Sequence, residues 1–219
     1  MPENKEKIAL FDFCETIVSF QSADRYVKFV VDNFATPTVR FRHKLYVLQD
    51  KLHLARRFNK YFHTHFITKE LLLKQLKGVP YDVMDHAAQE YYNKVIRPNL
   101  ISATIAELKR LQKEDYRIVI VSAGYDIYIE YFAKEFGIKV DDIHANQLLF
   151  KNQKFTGEYE KDCVGNVKVE ILNANFQKEE CYAVAYTDSE SDLPMLNWAD
   201  EGYWIRRKMN GFEIKQHKA

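Results

Sequence analysis

The stretch IALFDFCET, residues 8–16, is a short apolar run that ends among polar residues. Its first part, IALFDF at 8–13, has the continuous hydrophobicity of a strand covered on both faces, as in a parallel sheet. From about Ser22 to about Arg97 the pattern is helical: YVKFVVDNF, RFRHKLYVLQDKLHLARRF and KELLLKQL place apolar residues three and four apart, with no convincing strand among them. After Pro98 the pattern alternates. It predicts helices over 102–113, near 126–136, about 165–175 and 192–197, and strands over 117–121 (RIVIV), near 138–143, over 181–186 (CYAVAY) and near 202–206. Residues 147–158 (QLLFKNQKFTGE) form a hairpin or a pair of short strands around Lys151-Asn152.

Strand–helix alternation of this kind predicts an α/β architecture, a Rossmann-like parallel sheet with helices on both faces. The helical stretch follows the first strand directly and is therefore an insertion, expected as a helical cap over the carboxyl ends of the strands. The division is residues 1–18 and 96–219 for the core domain and 19–95 for the cap. Composition narrows the function classes without choosing one. In 219 residues, 32 Lys+Arg balance 31 Asp+Glu, which gives no overall pull toward nucleic acid or an acidic membrane. No apolar run approaches the roughly 20 residues of a membrane span, and MPENKEKIALFDF does not resemble a secretion signal. Cys14, Cys163 and Cys181 lie far apart without CxxC spacing, as expected of reduced thiols in a cytoplasmic protein. The aromatic content suits a monomer and a dimer alike.

Three strands end in polar residues: FDFCET (11–16), VSAG (121–124) and YTDSESD (186–192). In a parallel sheet these ends converge on one crevice. Asp12 and Asp188 would then be neighbouring carboxylates that repel unless a cation or proton lies between them. Such oxygen donors suit Mg²⁺, which takes one or two carboxylates, waters and a substrate phosphate. Asp192, one turn later, could hold a metal-bound water or orient a ligand. Ser122 closes its strand, and Gly124 lets backbone approach a ligand where the next helix begins, with Ala123 between them; free N–H groups at a helix start bind phosphate. Lys168 sits on a helix from which it could reach the crevice. Singly, each has a bland meaning: a turn acid, an ordinary helix start, a solvated lysine. Their order is what counts.

That order resembles the haloacid dehalogenase superfamily of phosphohydrolases, and within it the phosphoserine-phosphatase-like branch. The family pattern is a strand ending in DxDx(T/V), a strand ending in Ser or Thr, a helical Lys, and a strand ending in DxxxD. Here these are DFCET at 12–16, Ser122, Lys168 in VGNVKVEIL, and DSESD at 188–192 followed by SDLPML at 191–196. The resemblance implies a phosphatase using Mg²⁺, with Asp12 as nucleophile forming an aspartyl-phosphate. It implies metal ligation by Asp12, the Cys14 backbone carbonyl and Asp188, with Asp192 assisting behind them. Phosphate would be held by Ser122, Ala123, Gly124 and Lys168.

One position departs from the pattern. The family's second aspartate, the acid/base, is replaced by Cys14, whose thiol is a poor proton donor and acceptor at neutral pH. Glu15 could take over, a good leaving group or solvent could suffice, or hydrolysis could be lost. The last outcome would leave a phospho-ligand binding or regulatory protein, or a phosphotransferase. The expected substrate is a small phosphate ester: a phosphorylated amino acid or amino alcohol, or a phosphorylated sugar, lipid or polysaccharide precursor. Between Pro37 and Lys60, seven Lys/Arg face one acid, Asp50. That segment is either a solvated helix face or an anion-attracting cap; no nucleic-acid module accompanies it. Gln21, Arg25, Arg42, Arg56 and Tyr125 are the candidate substrate contacts. No HxH or HExxH spacing points to zinc.

Overall fold

The computed structural model describes residues 5–51, 67–209 and 211–217. Strand β1 (Glu6–Phe11) lies at the centre of a six-stranded sheet. It is parallel to β2 (Arg117–Tyr125) on one side and to β6 (Cys181–Thr187) on the other. Beyond β2 comes β3 (Ile143–Asn146), also parallel. Beyond β6 come β7 (Glu201–Lys208), parallel, and β8 (Gly211–Gln216), antiparallel to β7 at the edge. Between β3 and β6 in sequence, β4 (Leu148–Lys151) and β5 (Lys154–Tyr159) form a separate antiparallel hairpin. Its turn residues, Asn152 and Gln153, have φ of +52° and +59°.

Alternation along β1 separates two hydrophobic layers. Ile8 and Leu10 pack with Val119, Val121, Ala183 and Ala185 beneath α7 (Asn166–Asn175) and α8 (Leu193–Trp198), through Leu172, Met195 and Leu196. Ala9 and Phe11 point the other way, toward α5 (Ser102–Lys113) and α6 (Asp126–Phe136), where Leu108, Leu111, Ile129 and Phe132 are buried. Helices therefore cover both faces of a mostly parallel sheet, as the sequence predicts. No helix among the described residues is long and apolar enough to cross a membrane.

The insertion after β1 contains α1 (Ser22–Asn33), α2 (Pro37–Lys51), α3 (Ile67–Lys74) and α4 (Tyr81–Tyr91). Its apolar side is continuous with the α5/α6 layer: Tyr26, Val27, Val30, Leu73, Leu76 and Met84 join the Phe11 cluster. Four tyrosines, Tyr26, Tyr91, Tyr125 and Tyr128, form the joint, with ring centroids 5.3–6.3 Å apart. The β4–β5 hairpin clasps the insertion through main chain and side chains: Gly78 N–H donates to the Phe155 carbonyl (2.8 Å), Phe155 N–H to Val79 (2.9 Å) and Tyr81 N–H to Gln153 (2.9 Å), while the Tyr81 and Phe150 rings meet edge to face at 5.0 Å.

Three expectations are corrected. β2 runs four residues past Val121, through the Ser122–Gly124 stretch, before α6 starts. β3 begins at Ile143 rather than near 138, because Val140–Asp142 form a 3₁₀ turn whose Asp142 is held by Arg117 Nε at 2.7 Å. β8 carries only Phe212 and Ile214 as inward residues between charged ones, a signal too thin to read from the sequence. Phe11 is fully buried and stacks on Tyr186 at 4.5 Å. Phe11→Ala should cost about 3–5 kcal/mol of folding stability in denaturant titration.

Candidate active site

Because β1, β2 and β6 run parallel, Asp12, Ser122 and Asp188 all emerge at the same edge of the sheet. They line a cavity of about 300 Å³ together with Cys14, Lys168 and Asp192. Lys168, on α7, is 2% exposed and reaches two carboxylates: Nζ donates to Asp12 Oδ1 at 2.8 Å and to Asp192 Oδ2 at 2.6 Å. Burial works against its charge, but the two carboxylates outweigh burial and raise its pKa, so it stays an ammonium. Burial likewise pushes the Asp12 pKa upward, with Lys168 opposing.

Asp188 accepts a hydrogen bond from Thr16 Oγ1 at 3.1 Å, while its own N–H donates to that oxygen at 3.0 Å. Its carboxyl pKa is pushed up to about 7, first by burial and then by the charge of Asp12. Among the described residues no three His, Cys, Asp or Glu side chains form a set that would hold a metal by themselves. What the cavity does present is two adjacent carboxylates, Asp12 and Asp188, with Lys168 committed between Asp12 and Asp192. That donor set fits a divalent cation completed by main-chain oxygen, water and phosphate.

Ser122 is fully buried, and its Oγ accepts the Gly124 N–H at 3.1 Å. Ser122 and Ala123 line the cavity, but Gly124 still belongs to β2. Its lack of a side chain serves packing: a Cβ there would lie 2.8 Å from Tyr128 Oη and 3.0 Å from Ile129 Cδ1. Cys14 Sγ lies 3.0 Å from Ser22 Oγ and accepts Ser22 N–H at 3.4 Å. Ser22 Oγ in turn lies 2.6 Å from Tyr128 Oη. Burial, followed by the charge of Asp12, pushes the thiol up to about 11.

Glu15 takes φ = +55°, and its Oε2 accepts Gln21 Nε2 at 2.6 Å. Gln21 and Cys14 line the cavity, whereas Glu15 is not among its lining residues. The structure does not bring three of the proposed substrate contacts to the cavity. Arg25 stacks over Phe20, its Cζ 4.1 Å from the ring centroid. Arg42 reaches the carbonyls of Gln75 (2.9 Å) and Lys77 (3.1 Å), just past α3. Tyr125 is fully buried in the tyrosine cluster. Arg56 lies outside the described residues.

Sequence reasoning missed Thr16, whose hydroxyl tethers Asp188 and approaches Asp12 Oδ2 at 3.4 Å, and Thr187, whose Oγ1 donates to Asp192 at 2.9 Å. The threonine ending DFCET was the available signal for the first. It also missed Asp24 and Cys163 in the cavity wall, which no spacing marks.

A family model described as haloacid dehalogenase-like hydrolase matches residues 9–197, so the chain belongs to that family. The phosphoserine phosphatase of Methanocaldococcus jannaschii is 25% identical over 201 residues, spanning 90% of this chain and 84% of that protein. A Bordetella pertussis Tohama I protein of unknown function superposes with a TM-score of 0.73 at 19% identity, covering 90% of this chain and 89% of that one. A phosphoserine phosphatase in its apo form superposes with a TM-score of 0.59 at 22% identity, covering 90% and 85%. Within the family, the relatives that the chain is similar to thus include phosphoserine phosphatases.

Two outcomes follow from the electrostatics. Lys168→Met leaves Asp12 and Asp192 buried without their cation and should lower stability by about 3–5 kcal/mol. In metal-free protein, Asp188 takes up its proton near pH 7 when folded but near 3.8 when unfolded. Its ionisation therefore opposes folding fully above pH 7, and the opposition fades as the pH falls toward 4. With solvent screening, Asp188→Asn in chelator should gain about 1 kcal/mol at pH 8, or about 2–4 °C in Tm, and little at pH 4.

Proposed function

We propose that the protein is a Mg²⁺-dependent, cytoplasmic phosphatase of a small phosphate monoester, acting through an aspartyl-phosphate on Asp12. The observation that carries this is the buried Lys168 bridge, which fixes Asp12 at the cavity wall beside Ser122 and Asp188. One carboxylate oxygen of Asp12 is held by Lys168, leaving Oδ2 to attack phosphorus in line. The Asp12–phosphorus bond forms as the bond to the substrate's alkoxide breaks, and water later cleaves the acyl phosphate and regenerates the carboxylate. Ser122 Oγ, the Ala123 N–H and Lys168 Nζ supply donors for the phosphoryl oxygens, whose charge grows in the transition state. Asp12, Asp188 and the Cys14 carbonyl would hold the Mg²⁺, with Asp192 behind them; when bound it neutralises phosphate charge. The helical insertion serves as a cap that encloses the substrate.

The departing alkoxide needs a proton. A thiol titrating at about 11 holds its proton too firmly to exchange it readily at pH 7. Glu15, engaged by Gln21, is not directed at the cavity. Solvent therefore protonates the leaving oxygen, and turnover depends on leaving-group quality. Cys14 also favours a second reading, phospho-ligand binding without hydrolysis, which phosphate-release assays separate from the first.

Asp12→Asn should abolish Mg²⁺-dependent phosphate release, whereas Glu15→Gln should retain turnover within about twofold. Since Ser22 presents N–H and O–H groups to residue 14, Cys14→Asp should be accommodated there. It should raise kcat on alkyl phosphates by about 10²-fold, the lower end of the contribution from general acid–base catalysis. An unchanged rate would show that proton transfer does not limit the reaction.

A further inference from the structure

The two edges of the six-stranded sheet are treated differently. At one edge, β3 is covered by the chain that follows the hairpin: Glu160 N–H donates to the Gln147 carbonyl at 2.9 Å, Cys163 N–H to Asn146 Oδ1 at 2.8 Å and Cys163 Sγ to the His144 carbonyl at 3.6 Å. The other edge is β8, paired on its inner side with β7 from Tyr203↔Gln216 to Lys208↔Gly211. His217 N–H donates to the Gly202 carbonyl at 2.7 Å in the same register, which fixes the phase of that ladder. Hydrogen-bonded pairs alternate along an antiparallel ladder. Gly211, Glu213 and Lys215 therefore bond to β7, whereas the N–H and C=O groups of Phe212, Ile214 and Gln216 point away from it. Among the described residues no group meets these outward amides and carbonyls.

Charges on an edge strand usually discourage pairing. On β8 they are Glu213 and Lys215, both exposed, two residues apart and so on one face, and opposite in sign. For two antiparallel copies of this strand, a register centred on Glu213 sets Glu opposite Glu, and one centred on Lys215 sets Lys opposite Lys, which is unfavourable. The register centred on Ile214 sets opposite charges face to face twice. We infer that β8 is a self-pairing edge, on which two copies of this chain join strand to strand about Ile214. Ile214 then exchanges both main-chain bonds with Ile214 of the partner subunit, and Phe212 does so with Gln216 of the partner subunit. Glu213 faces Lys215 of the partner subunit in a non-hydrogen-bonded pair, where Cα atoms approach to about 4.5 Å and side chains lie closest. Lys208 holds Glu213 Oε1 at 2.9 Å and so keeps that carboxylate on the strand. Phe212 and Ile214, half-buried against the α5/α6 layer, carry that layer up to the join. Antiparallel pairing reverses strand direction, so the two cavities open on opposite edges of one continuous sheet.

The test is sedimentation equilibrium on the full chain over a range of concentrations. A join this short gives a concentration-dependent association, and the apparent mass should rise toward twice the monomer value. Glu213→Lys alone and Lys215→Glu alone should each weaken self-association about tenfold, because both attractive pairs become repulsive. Mixing these two variants should restore association, since each strand then offers two like charges to two of the opposite sign. The double variant Glu213→Lys/Lys215→Glu should again associate by itself. Amide hydrogen exchange adds a local readout: Phe212, Ile214 and Gln216 should gain protection as concentration rises, whereas Glu213 and Lys215, already bonded to β7, should not change. A monomer at every concentration, a dimer indifferent to both single substitutions, or a mixture no more associated than its components would overturn the inference.

Discussion

An ammonium buried between two carboxylates joins three distant parts of the chain. Lys168 comes from α7, Asp12 from the end of β1, and Asp192 from the turn that follows β6. Removing such groups from water is costly unless each finds its partner, so the helix, the central strand and the turn have to assemble together. The same contacts set the spacing of the carboxylates along the cavity wall, and the pairing stays one positive charge short. The remaining carboxylate, Asp188, is tethered by Thr16 next to Asp12. A site with surplus negative charge is thus poised for a cation-bearing ligand complex, whereas a bare phosphate alone would meet repulsion.

The departure at Cys14 has a physical setting. The thiol is hidden from water and tied through Ser22 to Tyr128, whose oxygen also accepts the Tyr125 N–H at 3.0 Å. The residue two places after Asp12 is thereby linked to the tyrosine joint on which the helical insertion rests. Ser22 also offers its carbonyl to Tyr91 at 2.9 Å. Position 14 thus takes part in the packing between insertion and sheet, a role that a buried apolar thiol fills well.

Much of this was legible in the sequence because it is written in local periodicity. IALFDF reads as doubly buried, RIVIV and CYAVAY as further strands of a parallel sheet, and the polar residues after them as converging; that these two flank the first strand is seen only in the structure. The cavity groups Asp12, Ser122, Lys168, Asp188 and Asp192 follow from that topology together with the family resemblance. The exceptions share a cause. Arg25, Arg42 and Tyr125 were chosen by charge or nearness in sequence, but their side chains are claimed by Phe20, by main-chain carbonyls and by an aromatic cluster. Where a long side chain ends is settled by tertiary neighbours, which periodicity does not encode. Asp24 was overlooked for the same reason: nothing local distinguishes it from any acid in a helix's first turn. The basic segment of the insertion is also partly internal in use, since Arg40 donates to the carbonyls of Val31 and Asp32.

The clasp between the β4–β5 hairpin and residues 78–81 combines main-chain hydrogen bonds with the Tyr81–Phe150 ring contact, and Gly78 at φ = +87° makes the turn. Bonds of this kind are indifferent to side-chain identity. Exposed positions along this seam can therefore change without loosening it, whereas Gly78, the buried Phe155 and the paired rings of Tyr81 and Phe150 are the points that hold the insertion in its seat.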